Sequence, residues 1–141
     1  MIFPPSHHII QSLTLFQISF RLLEEKEAEV IRSQVMKRYT IPTDRPIWES
    51  LSDHASIQNV NGWRLIDDYL SGASFVIFFD AKRDRLMVEV SSGASLTRIL
   101  EECIEFEFYI TDPETTYLIC FNHHDFLIGA GAAKQWIEQL P

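Results

Sequence analysis

The chain has 141 residues and a mass of 16.4 kDa, with 46% hydrophobic and 23% charged residues, the size and composition of one globular unit and too short for two full domains. Twenty Asp and Glu against 12 Lys and Arg give a formal net charge of -8, which repels phosphate backbones and argues against sequence-independent nucleic-acid binding. Cys103 and Cys120 lie inside apolar runs rather than at disulfide-scaffold spacing, the N-terminus lacks a basic signal-peptide region, and no window reaches the roughly 18 apolar residues of a membrane span. The expectation is a cytoplasmic protein with no membrane segment, no nucleic-acid ligand and no cofactor.

In chain order, Pro4-Pro5 forces an extended start, after which Ile9, Ile10, Leu13, Phe16 and Phe20 recur at roughly helical spacing. Residues 22 to 39 are good helix formers, with Leu23, Val30, Ile31 and Val35 on one face and Glu24, Glu25, Glu29 and Arg32 on the other. Pro42 stops this helix, and Pro46 suits the first turn of a short helix through Trp48, Leu51 and His54. Asn61-Gly62 marks a turn before a brief helical segment over residues 63 to 70.

After Gly72 the texture changes. Phe75-Val76-Ile77-Phe78-Phe79 and Leu86-Met87-Val88-Glu89-Val90 flank a charged turn and read as a hairpin whose first strand is buried. Ser95 caps a helix reaching about residue 104, with Leu96, Ile99, Leu100 and Cys103 facing the core. Phe106, Phe108 and Ile110 alternate with Glu105, Glu107 and Tyr109, the period of a strand with one wet face. Strands over residues 116 to 121 and 126 to 128 follow, joined by Asn122-His123-His124-Asp125, and a helix over residues 132 to 140 closes the chain after Gly129 and Gly131. The fold expected is α+β: a mainly antiparallel sheet of about five strands with helices on one face, residues 1 to 72 forming a helical half and 73 to 141 a sheet half.

Charge is uneven between these halves. Residues 1 to 85 carry 11 acids and 10 bases, whereas residues 86 to 141 carry 9 acids and 2 bases. Glu101, Glu102 and Glu105 share a helix face, Glu105 and Glu107 continue it on the next strand, and Asp112 and Glu114 follow at that strand's end. One reading is a solvated, solubilising face. The other is a docking surface for a basic protein, with Tyr109 as an aromatic anchor among the charges. A nuclease is one such partner, because its cleft is basic and an acidic protein occupies it in place of phosphate.

The Asn122-His123-His124-Asp125 turn also has alternatives: local backbone hydrogen bonding by Asn122 and Asp125, partner contact, or a metal or acid–base site. Adjacent histidines point in different directions, and no HxH, HxxxH or CxxC cluster completes a metal site. There is no GxSxG elbow or GxxxxGK[ST] loop, and Gly129-Ala130-Gly131 does not complete GxGxxG. Both cysteines read as inert core thiols, and Trp48, Trp63 and Trp136 as packing residues.

Residues 106 to 140, FEFYITDPETTYLICFNHHDFLIGAGAAKQWIEQL, resemble the C-terminal part of small uncharacterised bacterial proteins with a strand, an NHHD turn, LIG and a closing helix. That resemblance implies no activity. In size, acidity and α+β layout the chain also resembles the immunity proteins that bacteria make against their own polymorphic or contact-dependent toxins. This resemblance implies a non-enzymatic protein that binds a cognate toxin, and it transfers no residue. The expected partner-binding residues are therefore those of the charge argument: Glu101, Glu102, Glu105, Glu107, Tyr109, Asp112 and Glu114. The alternatives are a small metal-binding protein or enzyme using His123, His124 and Asp125, and a homodimeric module pairing through a sheet edge.

Overall fold

Helix α1 (Pro5–Leu15) begins with proline, whose fixed φ suits a first helical turn, and buries Ile9 and Leu13 four residues apart. The computed structural model describes residues 3–103 and 106–141. Strand β1 (Phe20–Leu22) leads into α2 (Glu25–Tyr39), the longest helix of the described residues. A reciprocal capping box between Glu24 and Glu27 satisfies orphan backbone donors at its start. Lys37 and Arg38 complement the helix dipole at its end. Its buried stripe is Ala28, Ile31, Val35 and Tyr39; Val30, expected on that face, is 62% exposed because the apolar stripe runs one position out of phase with it.

Strands β2 (His54–Gln58), β3 (Phe75–Phe78), β4 (Val88–Val90), β5 (Phe108–Thr111), β6 (Tyr117–Phe121) and β7 (Phe126–Gly131) join β1 in a seven-stranded sheet ordered β1-β4-β3-β5-β6-β7-β2. Every pairing is antiparallel. Five α-helices accompany it: α1, α2, α3 (Ile66–Leu70), α4 (Leu96–Glu101) and α5 (Ala132–Glu138). The α+β class is as expected, but the strand count is seven rather than about five, and the extra two come from the supposed helical half. They form the two edges of the sheet, so the halves share one structure. No described helix is long and apolar enough to cross a membrane.

The sheet is covered on both faces, not one. Phe75, Ile77, Phe108, Ile110, Ile119 and Leu127 pack under α1, α3, α4 and α5. Val76, Phe78, Tyr109, Leu118, Cys120 and Ile128 pack under α2 and the 3-10 turn Ile47–Glu49. This explains why β3 and β6 are apolar at every position: a strand buried on both faces has no wet side to mark by alternation. It also corrects the reading of β5 as half-wet, since all four of its residues are buried.

Helix α4 begins on Ser95, whose hydroxyl accepts the Arg98 N–H at 3.2 Å. Asp67 of α3 adds a second cap from outside, accepting the N–H groups of Leu96 at 2.8 Å and Thr97 at 3.0 Å and the Ser95 hydroxyl at 2.9 Å. Burial pushes the Asp67 carboxyl up, but the hydrogen bonds from Thr97, Leu96 and Ser95 outweigh it and hold the group below its ordinary range. Asp67→Ala is therefore expected to lower stability by about 2 kcal/mol at neutral pH. Because the folded-state pKa is depressed, this contribution is complete above the unfolded value of about 3.9 and is lost as pH falls through the folded one. Urea denaturation of both proteins from neutral to acid pH should show the gap narrowing only at its acid end.

Candidate functional site

β5 and β6 pair with Phe108 opposite Phe121, so the residue entering β5 and the turn leaving β6 lie at the same end of the sheet. This register brings Glu107 against residues 122 to 125. The Glu107 side chain is only 10% exposed, and three donors meet its carboxylate. Oε1 accepts the Trp48 indole N–H at 3.2 Å, while Oε2 accepts the His123 backbone N–H at 3.0 Å and pairs with His123 Nδ1. The His123 side chain is 61% exposed, so its ring is open to solvent while Nδ1 faces Glu107. Trp48 packs edge-on against both His123 and His124, with ring centroids 5.9 and 5.7 Å away.

Trp48 is placed by a second network. Its backbone N–H donates to the Tyr109 hydroxyl at 3.2 Å, the hydroxyl donates to Asp80 Oδ2 at 2.8 Å, and Asp80 Oδ1 accepts the Ile47 N–H at 3.0 Å. The 3-10 turn is thus pinned to the sheet at two successive backbone groups. Burial pushes the Tyr109 phenol far above its ordinary pKa, so it stays a neutral donor here. Beside it, Arg32 of α2 donates to the Phe79 carbonyl at 2.9 Å, and burial lowers its pKa against the opposing attraction of Asp80.

A cavity of about 540 Å³ opens at this end of the sheet. Leu100, Phe106, Phe108 and Phe121 supply apolar surface, together with the Trp63 indole. Glu101, Glu107 and Asp125 bring negative charge to it, Arg64 and Arg83 positive charge, and Asn122 and His123 an amide and an imidazole. Arg64 donates to Glu101 Oε1 at 3.1 Å, and its guanidinium carbon sits 4.3 Å from the Trp63 ring centroid. Asn122 is 3% exposed, and its Oδ1 accepts the N–H groups of His124 at 3.0 Å and Phe126 at 3.1 Å. The turn reading therefore holds for Asn122. Asp125 instead closes the turn through its backbone at φ 64°, its N–H donating to the Asn122 carbonyl at 3.1 Å, and the residue lines the cavity.

The structure divides the expected docking residues into separate places. Glu101 and Glu107 line the cavity, Glu102 is exposed beyond the last turn of α4, and Glu105 lies outside the described residues. Tyr109 is 1% exposed and serves the Asp80 network, so it is no surface anchor; alternation put it on the Glu107 face, but α2 and the 3-10 turn cover that face. Asp112 and Glu114 sit at the far end of β5, whose four residues span about 13 Å. There Asp112 accepts the Thr116 N–H at 2.8 Å and the Glu114 carbonyl accepts from Arg38 at 3.2 Å. Among the described residues these acidic side chains do not form one continuous surface.

Other assignments also shift. Trp48 and Trp63 belong to the site, whereas Trp136 packs on Tyr69 with centroids 5.2 Å apart. Cys120 is buried under α2, and burial raises its thiol well above the usual range. Cys103 is half-buried and lines the cavity, but burial pushes its thiol up to about 11 and it donates to the Ile99 carbonyl at 3.3 Å, so it remains protonated at neutral pH. Among the described residues no three His, Cys, Asp or Glu side chains converge in a way that would hold a metal ion.

Fold and site together define an antiparallel α+β protein with a charged, aromatic-lined cavity at one end of a doubly covered sheet. The chain belongs to a family of unknown function, DUF6756, which matches residues 6–141. No curated protein and no solved structure matches it.

Proposed function

We propose that the chain is a non-enzymatic binding protein that docks a basic protein partner on the cavity end of its sheet. Its role in this reading is that of a bacterial immunity protein neutralising a cognate toxin, and a nuclease is the toxin class whose cleft suits an acidic inhibitor best. The observation that carries the reading is the gathering of Glu101, Glu107 and Asp125 around an aromatic cavity, where they outnumber Arg64 and Arg83, with all three acids in the half of the chain that holds nearly all the net charge. Such a site combines electrostatic steering with a desolvated recess for one anchor side chain.

The test is capture from the source organism's lysate on immobilised protein, at low and at moderately high salt. The expected result is one basic protein, recovered stoichiometrically, toxic when expressed alone and lost from a Glu101→Lys, Glu102→Lys and Asp125→Lys variant. Equal capture by that variant, with its fold intact by circular dichroism, would remove this end of the sheet from the proposal. Glu107 is left out because its carboxylate holds Trp48 and His123 in place.

The Glu107–His123 pair favours a second reading, general-base chemistry at the exposed His123 imidazole. His123→Gln separates the two. Docking predicts that capture by this variant stays within about twofold of the parent, because a rim side chain contributes little. Base chemistry predicts in addition that the parent chemically alters the captured partner and that His123→Gln does not; a partner left unaltered by the parent removes this reading.

A further inference from the structure

The cavity already contains a worked example of the group it suits. Arg64 lays its guanidinium on the Trp63 indole at 4.3 Å and donates to Glu101 at 3.1 Å, which is the stacking and charge pairing that a planar cation seeks. Both partners of that ion pair are about half exposed, at 47% and 49% of their side chains. An exposed pair of this kind holds weakly, so an incoming cation can replace it. The apolar surface of Leu100, Phe108 and Phe121 beside it suits an alkyl stem, and about 540 Å³ is ample for one long side chain.

A second observation comes from Asn122. It is 3% exposed as a residue and lines the cavity, its Oδ1 is occupied by two backbone donors, and its Nδ2, which has no partner among the described residues, keeps some contact with solvent rather than being sealed in. A donor that still touches water beside a cavity is available to an acceptor from a ligand. A peptide unit supplies one in its carbonyl.

We propose that the cavity receives a single arginine side chain presented by the protein partner, displacing Arg64 from Trp63 and Glu101 and placing the arginine's own carbonyl on the Asn122 amide. This inference rests on the reading of a basic partner and gives that partner its anchor residue. Arginine suits the recess better than lysine because a planar guanidinium stacks and forks, whereas an ammonium is a compact, strongly hydrated point charge. Arg64 is then an internal occupant that sets the affinity: with Arg64 in place the site is partly self-filled, and without it the cradle stands open.

The experiment is an NMR titration of the full chain with N-acetyl-arginine amide, N-acetyl-lysine amide and N-acetyl-citrulline amide, followed at the Trp63 indole N–H. Saturable shifts are expected with the arginine probe, about fivefold tighter than with lysine, and none with the uncharged citrulline. Arg64→Ala should tighten arginine binding about threefold or more, since the competing cation is gone, and Glu101→Gln should weaken it by a similar factor. Both substitutions are at exposed positions that leave the core intact. Absence of saturable shifts in the parent and in Arg64→Ala, or equal shifts with citrulline, overturns the arginine site. An arginine-free oligolysine run in parallel separates the two levels: if it binds in a salt-sensitive way while the arginine probe is silent, only the arginine site falls, and if both are silent the basic-partner reading falls with it.

Discussion

Tyr109→Ala is expected to destabilise the protein by about 3 to 5 kcal/mol and to release the 3-10 turn that carries Trp48. The ring is 1% exposed, stacks on Phe78 with centroids 5.3 Å apart, and lies between α2 and the sheet, so truncation leaves a cavity that its neighbours cannot fill without moving. The hydroxyl adds a separate part. It donates to Asp80 at 2.8 Å and accepts from the Trp48 N–H at 3.2 Å, so Tyr109→Phe removes two hydrogen bonds with almost no change in volume and should cost about 1 to 2 kcal/mol. The functional consequence runs through Trp48, because its indole N–H on Glu107 is one of the three donors that hold that carboxylate. Urea denaturation gives the two stabilities, and the Trp48 indole N–H resonance gives the state of the site. A Phe variant with parental stability and an unmoved indole signal would show that the network does not hold the turn.

The same tyrosine shows what was legible in the sequence. Period-two alternation correctly put Glu107 and Tyr109 on one face of β5, but alternation says nothing about whether that face is covered, and the cover comes from residues about 60 positions earlier. The apolar run of β3 reads as a buried strand, and YLICF of β6 carries the same signal, since a strand with a wet face would not read FVIF or YLICF, but the expectation of helices on one face passes over it. The edge strands were hidden for the opposite reason. Phe20–Leu22 has three residues, and His54–Gln58 offers only Ala55 and Ile57 to the core, so local patterning is weak and long-range pairing with β4 and β7 decides. Helices α2 and α4 were readable because their signals are local, a run of good helix formers ending before Pro42 and a serine before an i, i+3, i+4 stripe, but α2 starts at Glu25 rather than at residue 22 and α4 ends at Glu101 rather than near residue 104. The NHHD turn was readable as a turn. Its histidine's partner was not, because Glu107 is 16 residues away and meets it only through the β5–β6 register.

Gly131→Ala is expected to cost about 3 kcal/mol or more, well beyond what a glycine in an ordinary turn would show. Gly131 joins β7 to α5 at φ 62° and ψ -136°, a backbone conformation that L side chains rarely adopt. A Cβ there would also lie 2.8 Å from the Thr116 carbonyl oxygen and 2.5 Å from the Tyr39 hydroxyl. The carbonyl is fixed, since it accepts the Ala132 N–H at 3.1 Å as α5 begins. The hydroxyl is held as well, donating to the Thr115 carbonyl at 2.5 Å and tying the end of α2 to the β5–β6 turn. The alanine therefore meets backbone strain and a collision together. Gly72 and Gly93 separate these causes, because both have positive φ but open space around the missing Cβ. Alanine there should cost only the conformational part, about 1 kcal/mol. Tyr39→Phe supplies the converse control: it removes the obstructing hydroxyl, so the loss in the double variant should be smaller than the sum of the two single losses. Strict additivity across that cycle would show that the Tyr39 hydroxyl carries none of the cost, leaving it to the backbone conformation, the Thr116 carbonyl and the Tyr39 ring edge, which would stay 2.9 Å from the Cβ in the Phe variant.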